Sequence, residues 1–264
     1  MRLDIYLYQF GYLKSRQKAK SLIESKNVII DGVVITKPSF DIDENTNYKI
    51  EITGDCPYVS RGGLKLESML NYASVSVNDK ICIDIGASSG GFTDCLLKCG
   101  AQKVYAVDSG SNQLDPTLKN DSRVISIENY NARNLNVSDI GQLVDLITID
   151  VSFISQTLIM PNAISLLKDD GLYISLIKPQ FEAGRSYIGK GGIVKDKNAR
   201  FLSVMRVIEC ANALSFKCNY LIESPITGGD GNIEYLAIFS KNDNEIDINS
   251  IKKLIHKWWG KYEI

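Results

Sequence analysis

The 264 residues are 44% hydrophobic and 23% charged, with 20 glycines and 6 prolines, a globular composition that excludes disorder, collagen-like repeats and low complexity. Thirty Lys and Arg against 31 Asp and Glu leave a net charge of -1, so a polyanionic partner must be met by a local basic patch. One histidine, His256, excludes multi-histidine metal sites and leaves histidine triads without spare parts, and no metal is expected.

The six cysteines contain no C-x-x-C pair and read as reduced thiols of a cytoplasmic protein. The charged N-terminus lacks the apolar stretch of a signal peptide, and no window approaches eighteen uncharged apolar residues, so no membrane partner is expected.

Residues 1–52 read as a compact unit. Leu3, Leu7 and Phe10 repeat at helical spacing up to Gly11, a C′ glycine, and Ala19, Leu22 and Ile23 repeat after Ser15, an N-cap. Val28–Ile30 and Val33–Ile35 flank Asp31-Gly32, the signal of a tight hairpin, and a third strand is predicted over Tyr48–Ile52. The second helix carries Lys14, Arg16, Lys18, Lys20 and Lys26 against Glu24 alone. It is either a solvated face or a phosphate-binding one.

Residues 53–59 lack periodicity and read as a linker, with a larger unit over 60–264. Strand-like runs fall at Ile81–Ile85, Val104–Val107, Val124–Ile127, Leu146–Ile149, Leu172–Ile177, Cys218–Ile222 and Glu234–Phe239. Helical segments such as Phe92–Lys98 and Ser155–Lys168 alternate with the first five, which predicts an α/β fold with a mostly parallel, seven-stranded, Rossmann-like sheet. The connection from Glu223 to Ile233 holds no helix, so the last strand is expected to pair antiparallel.

The first of these strands runs into a glycine turn containing Asp84, Gly86, Ala87, Ser88, Gly90, Gly91 and Phe92, the usual ligand position of an open parallel sheet. The alternatives are a turn used only for helix packing and a dinucleotide site. Asp84, suited to an ammonium, and a spacing that is not G-x-G-x-x-G favour S-adenosylmethionine. Asp108 ends the next strand, where a carboxylate meets ribose hydroxyls of either cofactor. Glu128 and Asn131 follow the third strand, facing the adenine or standing by.

Four ionisable residues lie at strand ends or beside the sheet: Lys65 on the preceding helix, Asp150 and Lys178 after adjacent parallel strands, and Glu234 opening the last strand. A lysine flanked by carboxylates and a second lysine can position and deprotonate a poorly acidic hydroxyl for in-line attack on a methyl group. Each also has a plain structural reading, as a surface lysine, a helix cap or a strand-edge charge.

Together these motifs carry a resemblance. Ser15-Arg16-x-Lys18-Ala-x-x-Leu22-Ile23 and Val28-x-Ile-Asp31-Gly32 are similar to the S4-type RNA-binding domain, and residues 58–240 resemble the FtsJ-like ribose methyltransferases. Tyr58-Val-Ser-Arg-Gly-Gly-x-Lys65-Leu, the Asp84 turn, Asp150-Val-Ser-Phe-Ile-Ser, Ile177-Lys178-Pro-Gln-Phe-Glu182 and Gly231-Asn-x-Glu234-Tyr resemble the haemolysin-A (TlyA) family. The resemblance implies S-adenosylmethionine-dependent 2′-O-methylation of a cytidine in ribosomal RNA, of the large subunit or of both, with Lys65, Asp150, Lys178 and Glu234 as the catalytic set. It also implies phosphate contacts from Lys14, Arg16, Lys18, Lys20 and Arg61, with ribosomal subunits as partner. The glycine-rich segment Phe181–Lys195 reads as a lid or a surface loop, and Trp258 and Trp259 as packing residues. The rival readings are a small-molecule or protein methyltransferase, a non-catalytic ribosome-assembly factor and a haemolysin.

Overall fold

The computed structural model describes residues 1–13, 15–44, 46, 48–52, 56–228, 231–242 and 244–259. Lys14, part of the 53–59 linker, and the side chains of His256, Trp258 and Trp259 lie outside the described residues. The chain forms two compact units, Met1–Arg61 and Gly62–Ile264.

In the first unit, helices α1 (Leu3–Gln9) and α2 (Arg16–Glu24) accompany a three-stranded antiparallel sheet of β1 (Val28–Ile30), β2 (Val33–Ile35) and β3 (Ile50–Ile52), in the order β2-β1-β3. Ser15 caps α2 by accepting the Lys18 amide at 3.1 Å. Asp31 and Gly32 take φ of 48° and 80°, as a tight hairpin demands, and Gly11 sits past α1 at φ 75°. Leu3, Leu7, Leu22, Ile23 and Val28 are fully buried. Phe10, expected on the apolar stripe, is instead half exposed at the C-cap, stacked on Tyr6.

The second unit contains α3 (Gly62–Tyr72), β4 (Ile81–Ile85), α4 (Gly91–Lys98), β5 (Lys103–Val107), α5 (Pro116–Lys119), β6 (Val124–Ile127), α6 (Val137–Ile140), β7 (Val144–Ile149), α7 (Met160–Ile164), β8 (Leu167–Ile177), α8 (Pro179–Glu182), α9 (Lys197–Ala213), β9 (Lys217–Glu223), β10 (Tyr235–Ser240) and α10 (Ile248–Trp259). The strand order is β6-β5-β4-β7-β8-β10-β9. Pairs among β4 to β8 are parallel, and β10 runs antiparallel to both β8 and β9. The chain moves outward one way from β4 through β6 and the other way from β7, so the crossing point lies between β4 and β7, where open sheets bind ligands.

The helix expected over Ser155–Lys168 is much shorter. Pro161 is tolerated only in a first helical turn, so α7 spans five residues after a short turn at Gln156–Leu158. Strand β8 starts five residues before the predicted Leu172, and Lys168 pairs with Asp145 at 2.8 Å.

Candidate active site

The turn after β4 is shaped by close approach. Gly86 has φ +81°, and a Cβ there would collide with the backbone carbonyl of Asp150 at the end of β7. Gly90, at φ +94°, is the left-handed N-cap of α4, and a side chain would overlap Leu114 and Leu118. Between them the Ser88 amide donates to Asp108 Oδ2 at 2.8 Å, and the Gly110 amide donates to Asp108 Oδ1 at 2.7 Å. Each carboxylate oxygen keeps a further acceptor position.

A cavity of about 570 Å³ opens here, lined among others by Gly86, Ser88, Asp108, Asn131 and Asp150, a volume suited to a nucleoside-sized ligand. Asn131 Oδ1 accepts from the Arg133 amide and Nε at 3.1 and 3.2 Å, holding Arg133 on the cavity wall. Glu128 lies in a side recess with Ala87, Ser88 and Asp108. Its Oε1 is buried without a hydrogen-bond partner, and its Oε2 is 3.7 Å from Lys119.

Four residues expected at the ligand stand behind it. Asp84 is fully buried, accepting from the Thr93 amide at 2.9 Å, the Thr93 hydroxyl at 2.7 Å and the Thr148 hydroxyl at 3.0 Å. Burial pushes its carboxyl up to about 6, against the opposing pull of those hydrogen bonds. Its three donors tie β4 to α4 and β7, so Asp84 supports the turn and does not line the cavity. Gly90, Gly91 and Phe92 likewise pack in the start of α4, outside the cavity wall. Burial is the cause: at 0% exposure the Asp84 carboxylate presents neither oxygen to the cavity.

The four ionisable residues form two pairs. Lys178 is ion-paired with Asp150 and donates to Ser152 Oγ at 3.1 Å. Lys65 donates to Glu234 Oε2 at 2.5 Å, with both side chains buried. The register Tyr235↔Ile177 sets Glu234 opposite Lys178, one step beyond the β10–β8 ladder. Both line a second cavity of about 570 Å³, whose wall Ser152–Ile154 it shares with the first. The topology thus brings a lysine–carboxylate pair to the junction of two cavities and backs it with a second pair.

Three supporting residues carried weak sequence signals. A Cβ on Gly228 would lie 2.6 Å from Glu234 Oε1, so only glycine there leaves the carboxylate in place. Buried Asn232 accepts the Val194 amide at 3.0 Å and donates to the Gly192 carbonyl at 3.0 Å, pinning one end of the expected lid while residues 185–191 stay exposed. Phe153 has φ +65°, a left-handed strain for a bulky residue, and is 93% exposed at the shared wall, its ring 5.2 Å from that of Phe181.

In the first unit the expected cationic face is partly committed. Arg16 Nε donates to buried Asp4 at 2.8 Å, beside Arg2 at 2.9 Å. Lys18 Nζ donates to the Cys56 carbonyl at 2.9 Å, Arg61 pairs with Glu24 at 2.9 Å, and Lys20 lies 3.9 Å from the same glutamate. Arg16 and Lys20 remain more than half exposed, whereas the Arg61 side chain is 20% exposed.

A glycine turn, an acidic strand end and a cleft at the crossing of a doubly wound sheet define a Rossmann-like α/β fold with its ligand cleft at the crossing point. The FtsJ-like methyltransferase family matches residues 58–241 and the S4 domain residues 1–47, and the chain belongs to the FtsJ-like methyltransferase family with an S4 domain at its N-terminus. It is 46% identical over 244 residues to Hemolysin A of Brachyspira hyodysenteriae, covering 90% of this chain and 99% of that one. It is 37% identical over 257 residues to the 16S/23S rRNA (cytidine-2′-O)-methyltransferase TlyA of Mycobacterium tuberculosis, covering 97% and 96%. A solved Streptococcus thermophilus structure carrying the hemolysin name is similar at 42% identity with a TM-score of 0.77, covering 100% of this chain and 98% of that one.

Proposed function

We propose that the chain is a cytoplasmic, S-adenosylmethionine-dependent methyltransferase that modifies the 2′-hydroxyl of a cytidine in ribosomal RNA. The observation that carries this reading is the Lys178–Asp150 pair at the junction of two cavities, one suited to a nucleoside cofactor and the other to a nucleotide. The glycine turn, whose close approach a Cβ would block, Asp108 and Asn131 would hold the cofactor, which when bound supplies an activated methyl on a sulfonium.

The protein's task is then to bind, orient and deprotonate a ribose hydroxyl. Lys178 passes a proton from its ammonium to Asp150 and, as the free amine, takes the 2′-hydroxyl proton, while Asp150 orients Lys178 and shares the proton as it moves. Glu234, held by Lys65, fixes the field around Lys178 and closes the far side of the pair. The half-buried, mostly apolar surroundings keep these charges effective. The exposed ring of Phe153 offers a stacking face for an unstacked base at the mouth. Residues 1–52 dock the RNA by charge and shape, 53–59 link, and 60–264 carry the chemistry. Among the described residues no helix is long and apolar enough to cross a membrane.

The test is to map 2′-O-methylated nucleotides on both ribosomal subunits from cells with and without the gene. One cytidine or more should lose its alkali resistance in the deletion and regain it on complementation. An unchanged map would contradict the reading.

A further inference from the structure

Two chain segments carry the Lys178–Asp150 pair, and they are joined at both ends. Asp150 opens the stretch that leaves β7, and Lys178 opens the stretch that leaves β8 into α8. Their ion pair joins the segments at one end. At the other, Glu182, the last residue of α8, accepts from Ser155 Oγ at 2.5 Å through Oε2 and from the Gln156 amide at 2.9 Å through Oε1. Between these closures Lys178 Nζ donates to Ser152 Oγ at 3.1 Å, and the Phe153 and Phe181 rings lie 5.2 Å apart. Residues 150–156 and 178–182 thus form a ring with the ion pair and Glu182 at opposite ends.

The two ends differ in their surroundings. Glu182 is 2% exposed, and its carbonyl accepts from Arg206 of α9 at 2.5 Å. Gln156 Oε1 accepts from Ser175 Oγ of β8 at 2.5 Å, and its Nε2 donates to the Leu176 carbonyl at 3.4 Å. That end is therefore fixed to the body of the unit. The ion-pair end lines the cavities, and Phe153 within it is both exposed and held at a strained φ. Such strain persists only where the surrounding structure over-determines it, and the Glu182 end supplies that support.

A carboxylate is a costly way to fill an interior unless its oxygens are bonded. Here each oxygen of Glu182 holds one of two successive residues of the β7 loop. Glu182 is absent from the walls of both cavities, so its effect on the reaction passes through the ring. Resting on the function proposed above, we propose that Glu182 is a positioning residue for methyl transfer, clamping the β7 loop to α8 so that Asp150 and Lys178 keep their reacting geometry.

The experiment uses the full chain, S-adenosylmethionine with a labelled methyl group, and ribosomal subunits from cells lacking the gene, with kcat counted per cofactor-binding molecule by calorimetry. Glu182→Ala should lower kcat by about 10–100-fold, the scale of a displacement near 1 Å, with cofactor affinity and KM for the subunit close to wild type. Glu182→Gln, which keeps an acceptor for the Gln156 amide, should restore most of that loss. Ser155→Ala removes one donor and leaves the acid in place; it should lower kcat severalfold, and it serves where Glu182→Ala fails to fold. In a Lys178→Ala background Glu182→Ala should add less than about twofold, since residues that act as a unit are not additive. Wild-type kcat in the variants that fold, or a loss that multiplies that of Lys178→Ala, overturns the inference while leaving RNA methylation standing. A wild-type enzyme that labels neither subunit overturns the functional reading and this inference together.

Discussion

The cations of the two units are placed under opposite rules. In the second unit Lys65 and Lys178 are largely buried, each against one carboxylate at the end of the sheet. In the first unit Arg16 and Lys20 are more than half exposed, and their partners lie on nearby helical residues. A buried pair holds only in its one geometry, and losing either member strands a charge; an exposed cation adds an increment that salt can screen. The site should therefore fail on single substitutions and the docking face only by degrees.

The largest effect that sharpens this contrast comes from the backing pair. Lys65→Ala or Glu234→Ala leaves an unpaired buried charge and should cost about 3–5 kcal/mol by chemical denaturation. The double change Lys65→Met with Glu234→Leu should recover most of that stability but little of the methyl transfer. Recovery of activity together with stability would make the pair purely structural. Gly228→Val should come next, pushing Glu234 from its place and lowering kcat about tenfold or more with a smaller change in melting temperature.

On the docking side Lys20→Glu should weaken binding to ribosomal subunits severalfold. The slope of log affinity against log salt should fall by about 0.7–0.9 for each phosphate no longer neutralised, with kcat at saturation unchanged. A fall in kcat would break the comparison by placing this residue in the chemistry.

A separate effect, seen only as a pH dependence of stability, concerns Asp84, whose carboxyl is raised to about 6 in the fold from 3.8 when exposed. Between pH 4 and 6 the folded state binds the extra proton, so stability falls as pH rises through that window and is level above it. The loss is roughly 1.4 kcal/mol for each pH unit of the window. Asp84→Asn should remove that fall in urea titrations, and an identical pH profile would remove Asp84 as its source.

Strand positions, the hairpin and the antiparallel last strand were legible because alternation and turn chemistry are local. The pairing of Lys178 with Asp150 followed from adjacent parallel strands, again a matter of topology. What the sequence did not disclose depends on close packing in three dimensions. The inward turn of Asp84 rests on Thr93 and Thr148, nine and 64 residues away. The need for glycine at 228 arises from Glu234, and the commitment of Arg16 arises from a buried Asp4. Helix α7 is shorter than its apolar run because Pro161 and the early start of β8 override periodicity.

The most direct test measures labelled methyl transfer from S-adenosylmethionine to purified ribosomal subunits by the wild type, Lys178→Ala and Asp150→Ala, with cofactor and subunit binding measured on the same samples. Both variants should lose transfer by about 10²–10⁴-fold while still binding both ligands. Substantial turnover in both variants would contradict the assignment of the Lys178–Asp150 pair.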